Sequence, residues 1–190
     1  LFTTCVLVFL MLSCNNNDNP LNQTDFKQKD IVDSQAQQKR LFAIALSKAL
    51  NDSYQLRELI KREALKMFDN DYDVLYQLIK NESLGNGNTV RTLLTKYFDD
   101  EKELIQIENS LPTLTIFVPE LPEEVFSAKS WDVNKDIPQV AYNTKSTNDV
   151  FIVKGYDIEY VLESSLIPDF PVVVVKESER VVQNDRIGVL

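Results

Sequence analysis

Along this chain the apolar residues keep a helical spacing as far as Leu111 and then, from Thr113, an alternating one. A stripe that recurs every three or four residues buries itself as one face of a helix, whereas a period of two puts every second side chain on one face of a strand. Helices first and strands after predict an α+β fold. The expected architecture is an N-terminal bundle of about five short helices over residues 35–111, then a mainly antiparallel or mixed β-sheet over 112–190.

The helical stripes are explicit. Leu41, Phe42, Ala45, Leu46, Ala49 and Leu50 form the first, and Leu56, Leu59, Ile60, Ala64, Met67 and Phe68 the second, with Asp52 and Gln55 spaced as a capping box before it. Val74, Leu75, Leu78 and Ile79 predict a third helix, and Val90, Leu93, Leu94, Tyr97 and Phe98 a fourth, after the turn Gly85-Asn86-Gly87-Asn88. Asp100 with Glu103 opens a fifth, carrying Leu104, Ile107 and Leu111 and ended by Pro112.

Strands are expected at 113–118, Gln139–Tyr142, Val150–Lys154, Ile158–Leu162 and Val172–Lys176, with Gly155-Tyr156-Asp157 as the turn of a hairpin. The unbroken Val172–Val175 run suits a strand buried on both faces, with the helices as cover for one of them. No Gly/Ser-rich linker separates the two halves, so they are expected to fold as one unit.

Composition excludes much chemistry. The 190 residues include 20 Lys+Arg against 29 Asp+Glu, a net charge of -9, and no histidine. Imidazole-based triads, His-ligated zinc and haem are therefore ruled out. The acidic balance repels phosphate backbones, and no compensating basic cluster is visible, so no nucleic-acid partner is expected.

Residues 1–13 are read as a signal peptide. Ten of the first twelve residues are apolar, and no charge occurs before Asp18. That run has the length of a signal h-region and falls short of the roughly 20 residues of a membrane span. Met11-Leu12-Ser13-Cys14, followed by Asn15-Asn16-Asn17-Asp18-Asn19-Pro20, resembles the lipobox of bacterial lipoproteins. Ser13 is the small residue such a site needs, while Met11 and Leu12 depart from the commonest Leu and Ala or Ser. The resemblance implies that Cys14 becomes the first mature residue and carries acyl chains such as palmitate. A cleaved secretory signal and a membrane anchor are the other readings of this segment. Residues 14–34 are expected to form a flexible polar tether. Leu1 in place of Met, with no basic stretch before it, suggests a fragment whose start lies upstream, and Val181-Val182 suggests a sheet that continues past Leu190.

Several motifs point weakly to sites. Asp69, Asp71 and Asp73 have the spacing that opens an EF-hand loop, but Val74 and Lys80 occupy the positions that need Gly and Glu. Asp132, Asn134 and Asp136 repeat the pattern and are the calcium candidates, with helix-capping or Asx-turn chemistry as the plain reading of both stretches. Neither Gly85-Asn86-Gly87 nor any other segment makes a dinucleotide or phosphate loop. Ser127-Ala128-Lys129-Ser130 lacks the S-x-x-K spacing of a lysine-activated serine. No catalytic residue and no cofactor is assigned. Trp131, the sole Trp, is read as core edge or, alternatively, as a platform for a sugar.

The order of leader, polar tether, helical segment around Phe42-Ala43-Ile44-Ala45-Leu46, the stretch Phe68-Asp69-Asn70-Asp71-Tyr72-Asp73-Val74-Leu75-Tyr76 and the later Pro171-Val172-Val173-Val174-Val175-Lys176 is similar to uncharacterised lipoproteins of Bacteroidetes-type bacteria. The resemblance implies a protein lipid-anchored to the bacterial cell envelope, on the periplasmic or surface face of the outer membrane. The functional expectation is a non-catalytic interaction or assembly module, with the membrane as one partner and other envelope proteins or glycans as further ones. The alternative is the N-terminal portion of a longer secreted hydrolase.

Overall fold

A computed structural model describes residues 21–68, 70–85, 87–143, 150–156, 158–163 and 166–178, with side chains from residue 34 on except that of Ile158. The leader, Cys14, Asp69 and the Val181-Val182 pair lie outside the described residues.

Helix α1 spans Leu21–Asp52. Residues 21–34, expected as tether, are its first turns, which corrects that boundary. Low apolar content had suggested coil, yet the stretch holds no Gly or Pro after Pro20, so a helix nucleated on the packed half propagates through it at little cost. The stripe Phe42, Ala45, Leu46, Ala49 and Leu50 is fully buried, together with Ala43. It lies on the sheet, where Ser47 Oγ also donates to the carbonyl of Val153 at 3.1 Å.

The chain breaks at Ser53, whose extended backbone and Oγ, accepting from the Leu56 N–H at 3.1 Å, cap helix α2 (Tyr54–Ala64). The cap therefore falls one residue after the expected Asp52. Leu56, Leu59, Ile60 and Ala64 are buried as the stripe requires. Met67 and Phe68 are not on it, because Met67 turns left-handed (φ 47°) and both side chains emerge exposed.

The expected third helix is part strand and part helix. Asp73–Leu75 form β1, paired antiparallel with β2 (Leu114–Phe117), with Val74 opposite Ile116. Only one helical turn follows, α3 (Tyr76–Ile79). The spacing of Val74 to Leu78 imitates a helix stripe, but β-branched Val74 fits the pleat, and pairing with β2 satisfies backbone groups that one isolated turn could not. Helix α4 (Val90–Thr95) is opened by a reciprocal Thr89–Thr92 capping box. Helix α5 (Glu101–Ser110) starts where Asp100 accepts from the Lys102 N–H at 2.9 Å.

The remaining strands are β3 (Gln139–Asn143), β4 (Val150–Lys154), β5 (Ile158–Leu162) and β6 (Val172–Glu177). They complete a six-stranded mixed sheet in the order β1-β2-β6-β3-β4-β5, in which only β3 and β6 run parallel. The expected β4–β5 hairpin is present, with Lys154 opposite Ile158 and Gly155 left-handed at φ 54°. With five α-helices among the described residues, most of them N-terminal to the strands, the α+β class holds.

Alternation along the strands divides two clusters. Val74, Ile116, Val140, Tyr142, Val153, Val173 and Val175 join the helical stripes in the main core, which draws on both halves of the chain. Ala141, Ile152 and Val172 make a smaller cluster, flanked by Leu121, Phe170 and half-buried Val174. The valine run is thus split between both faces of a central strand, as its composition suggested.

Candidate functional site

Where α1 passes over β3, β4 and β5, a cleft of about 360 Å³ opens. Ala36, Gln37 and Arg40 line it from the helix, and Tyr142, Phe151, Glu159, Tyr160 and Val161 from the strands. Strand register explains the sheet wall, because Tyr142 lies opposite Phe151, and Phe151 opposite Val161. The Tyr142 and Phe151 rings stack with centroids 5.2 Å apart and planes 17° from parallel.

The Arg40 guanidinium grips Glu159 as a fork. Its Nε lies 2.9 Å from both carboxylate oxygens and its Nη2 lies 2.6 Å from Oε2. The Tyr142 hydroxyl donates to Oε1 of the same carboxylate. The Arg40 hydrogen bonds, against partial burial and aided by Tyr142, hold the Glu159 carboxyl below the usual range. The same contact raises the Arg40 guanidinium, while burial and the neighbouring carboxylate push the Tyr142 phenol up. The guanidinium and the phenol thus share one carboxylate, and together with the stacked rings they offer the cleft its polar and apolar contacts.

Two further clusters are satisfied internally. Glu108 accepts from the Tyr76 hydroxyl at 3.1 Å and pairs with Arg91, and Lys80 stands 3.9 Å away. Asp52 accepts from the phenols of Tyr97 (2.7 Å) and Tyr156 and from Asn51 (2.9 Å). Burial alone would raise the Asp52 carboxyl, but these donors outweigh it and hold the group low.

The loop carrying the calcium candidates is built as a turn. Asp132 Oδ1 accepts from the Asn134 N–H at 3.1 Å, and Asp136 Oδ2 from the Asp132 N–H at 2.9 Å. Lys135 Nζ stands 3.1 Å from Asp132 Oδ2. Among the described residues no group of three or more His, Cys, Asp or Glu side chains is placed to hold a metal. In the earlier stretch the two described carboxylates take different partners. Asp71 accepts from the Tyr72 N–H at 2.9 Å, and Asp73 pairs with Lys176 at 2.7 Å.

Trp131 is 1% exposed, packed edge to face on Phe126, with Nε1 donating to the Asp136 carbonyl at 3.0 Å. Its ring is core, which corrects the sugar-platform reading. Ser127 and Ser130 bond each other at 2.9 Å, while Lys129 turns toward Glu120 at 3.7 Å, so the lysine does not activate either serine. Gly85 and Gly87 are left-handed residues in a tight turn closed by the Leu84 N–H and the Asn88 carbonyl at 2.9 Å.

Sequence reasoning missed the Arg40, Tyr142 and Glu159 group. Arg40 and Glu159 are 119 residues apart, and no local motif links them. The fold defines an α+β unit with helices packed on one face of a six-stranded mixed sheet and a cleft of mixed polar and apolar lining where α1 crosses β3–β5. No family model, curated protein or solved structure matches this chain.

Proposed function

We propose that this chain is a bacterial lipoprotein held at the cell envelope by acyl chains on Cys14, and that its α+β body is a non-catalytic interaction or assembly module. The observation that carries the anchor is the boundary at Ser13-Cys14, where an apolar run without charge meets a polar asparagine-rich stretch. No described helix is long and apolar enough to cross a membrane. Several acyl chains, at about 0.8 kcal/mol per buried CH₂, anchor a protein stably where one is marginal. The module reading is supported by the way Glu108, Glu159 and Asp52 are tied to arginine or tyrosine partners, while Val161, Leu78 and Phe68 remain exposed.

Expression from the natural start in a bacterial host fed labelled fatty acid tests the anchor. Label and membrane fractionation should both be lost in Cys14→Ser, and their retention rejects the reading. For the module, a photo-cross-linking residue at Val161, Leu78 or Leu166 should capture envelope proteins in cells, and absence of adducts at all three positions rejects it.

A further inference from the structure

At the β5 end of the sheet an open strand edge, a side-chain cleft and uncompensated negative charge coincide. We infer that β5 accepts an extended peptide strand from another protein, with apolar side chains on the face toward α1 and lysine or arginine on the other. The inference rests on the interaction-module reading and gives that module a partner chemistry.

Among the described residues β5 ends the strand order, with β4 as its neighbour. Its five residues pair with Val150–Lys154 on that side, and no backbone bond among the described residues reaches its other side. The strand is also accessible. Glu159 and Val161 are exposed, Val161 at 55%, and Tyr160 and Leu162 are half-buried. In an antiparallel pair the backbone N–H and C=O groups alternate between the two sides, so those that β4 does not take point away from the sheet. Strand addition uses such an edge.

Side chains set what can be added. Val161 and Glu159 lie on the α1 face, level with Phe151 and Val153, whereas Tyr160 lies on the opposite face with Ile152. A strand laid about 4.8 Å outside β5 continues both faces. On the α1 face its side chains come beside Val161, at the cleft of about 360 Å³ between α1 and the sheet. Ala36, Phe151 and Val161 give that cleft apolar walls, and the charged groups next to them, Arg40 and Glu159, are already joined. An apolar side chain therefore enters without stranding a charge.

Charge decides the other face. Glu163 follows β5 directly, and Asp169 stands near Tyr160, whose phenol is pushed up by burial and by that carboxylate. Both acids are exposed and belong to no ion pair among the described residues. Lys154 lies at the far end of β5, opposite Ile158. A cation on the incoming strand near Leu162 thus meets uncompensated carboxylates, and the net charge of -9 favours its approach. A second copy would bring its own Glu163 and Asp169 to the same edge, which disfavours self-pairing.

The test uses the full chain with Cys14→Ser and a fluorescein-labelled peptide, Val-Lys-Val-Lys-Val-Lys, blocked at its C-terminus. Anisotropy should show binding, and proline at the third position should abolish it. Ala36→Trp, which fills the cleft, should weaken binding at least about tenfold while the circular dichroism of the protein is unchanged. A peptide with Glu for Lys should bind about fivefold more weakly, and Glu163→Lys with Asp169→Lys should reverse that preference. Exchange of the β5 amides that β4 leaves unbonded should slow when the peptide is bound.

No binding at about 1 mM peptide, full affinity of the proline peptide, indifference to Ala36→Trp, or equal binding of the Glu peptide would each overturn the inference. A dimer in which the β5 amides are protected without peptide would also overturn it, in favour of self-pairing. If the peptide arms fail while cellular cross-links at Leu78 persist, the β5 proposal falls and the module reading stands. If the peptide binds as described but no position cross-links in cells, the module reading is the one that fails.

Discussion

Arg57 on α2 donates its Nε–H to the carbonyl of Val133 at 2.7 Å, across 76 residues of chain. The same guanidinium reaches back to the carbonyls of Leu50 and Asn51 in the last turn of α1. Lys61, one helical turn further along α2, donates to the Trp131 carbonyl at 2.6 Å. Two cations on one helix face thus fasten the end of α1 and the 131–136 loop through carbonyl oxygens. The Arg57 side chain is almost fully buried, and that burial lowers its pKa.

Arg57→Met should cost about 3 kcal/mol in urea unfolding, since it strands buried carbonyls without donors. Arg57→Lys should recover little of this, because one ammonium cannot span carbonyls on two elements as the planar fork does. A loss under about 1 kcal/mol would show that water replaces the guanidinium.

Trp131 offers a direct readout of the core. As the sole Trp, and 1% exposed, it should emit at short wavelength and resist quenching by acrylamide until the protein unfolds. Trp131→Ala should cost about 3–5 kcal/mol. Easily quenched emission in the native state would contradict its placement.

The Arg40–Glu159 fork links α1 to β5 at the protein surface. A double-mutant cycle with alanine at both positions should give a coupling of about 1 kcal/mol, falling with salt. Because the Glu159 carboxyl is lower in the folded protein than the usual 4.5, its stabilisation is complete above that value and is lost as pH falls through the folded pKa. Glu159→Gln should therefore lose less stability than the parent between pH 5 and the acid limb. An identical acid profile would mean the fork is not formed in solution.

The Asp132 turn makes a prediction about calcium. With Asp132 and Asp136 already accepting loop N–H groups, millimolar calcium should leave the melting midpoint unchanged, and Asp132→Ala should lower that midpoint slightly by loss of the turn bond. A calcium-dependent rise in the midpoint, abolished by Asp132→Ala, would restore the metal reading.

A chain ending at Leu111 should aggregate or melt far below the whole body. It would lack β2, the partner of β1, and would leave Phe42, Leu46 and Leu50 without Val140, Val153 and Val173 above them. A monomeric product with an unchanged midpoint would show that the halves are independent.

The long stripes were legible because they need nothing beyond their own neighbours. Leu41 to Leu50 spell out the buried face of α1, and the alternating Leu114 and Ile116 spell out β2. β1 was illegible, since three residues carry too little pattern and what decides their state is β2, some forty positions away. The capping position slipped by one because Asp52 and Ser53 are both good caps, and it is the phenols of Tyr97 and Tyr156, with the Asn51 amide, that draw Asp52 elsewhere. The cleft was hidden for a related reason. Arg40, Tyr142 and Glu159 are ordinary residues locally, and only the strand order brings them together.

That strand order also sets a timetable for assembly. β6 is the last described strand to be synthesised, yet it lies between β2 and β3 and is the seam that joins β1–β2 to β3–β5. Until Val172–Glu177 arrive, the growing polypeptide holds two half-sheets that share no ladder. Closing such distant contacts is slow. The sheet as a whole therefore cannot close until the last of its described strands is in place.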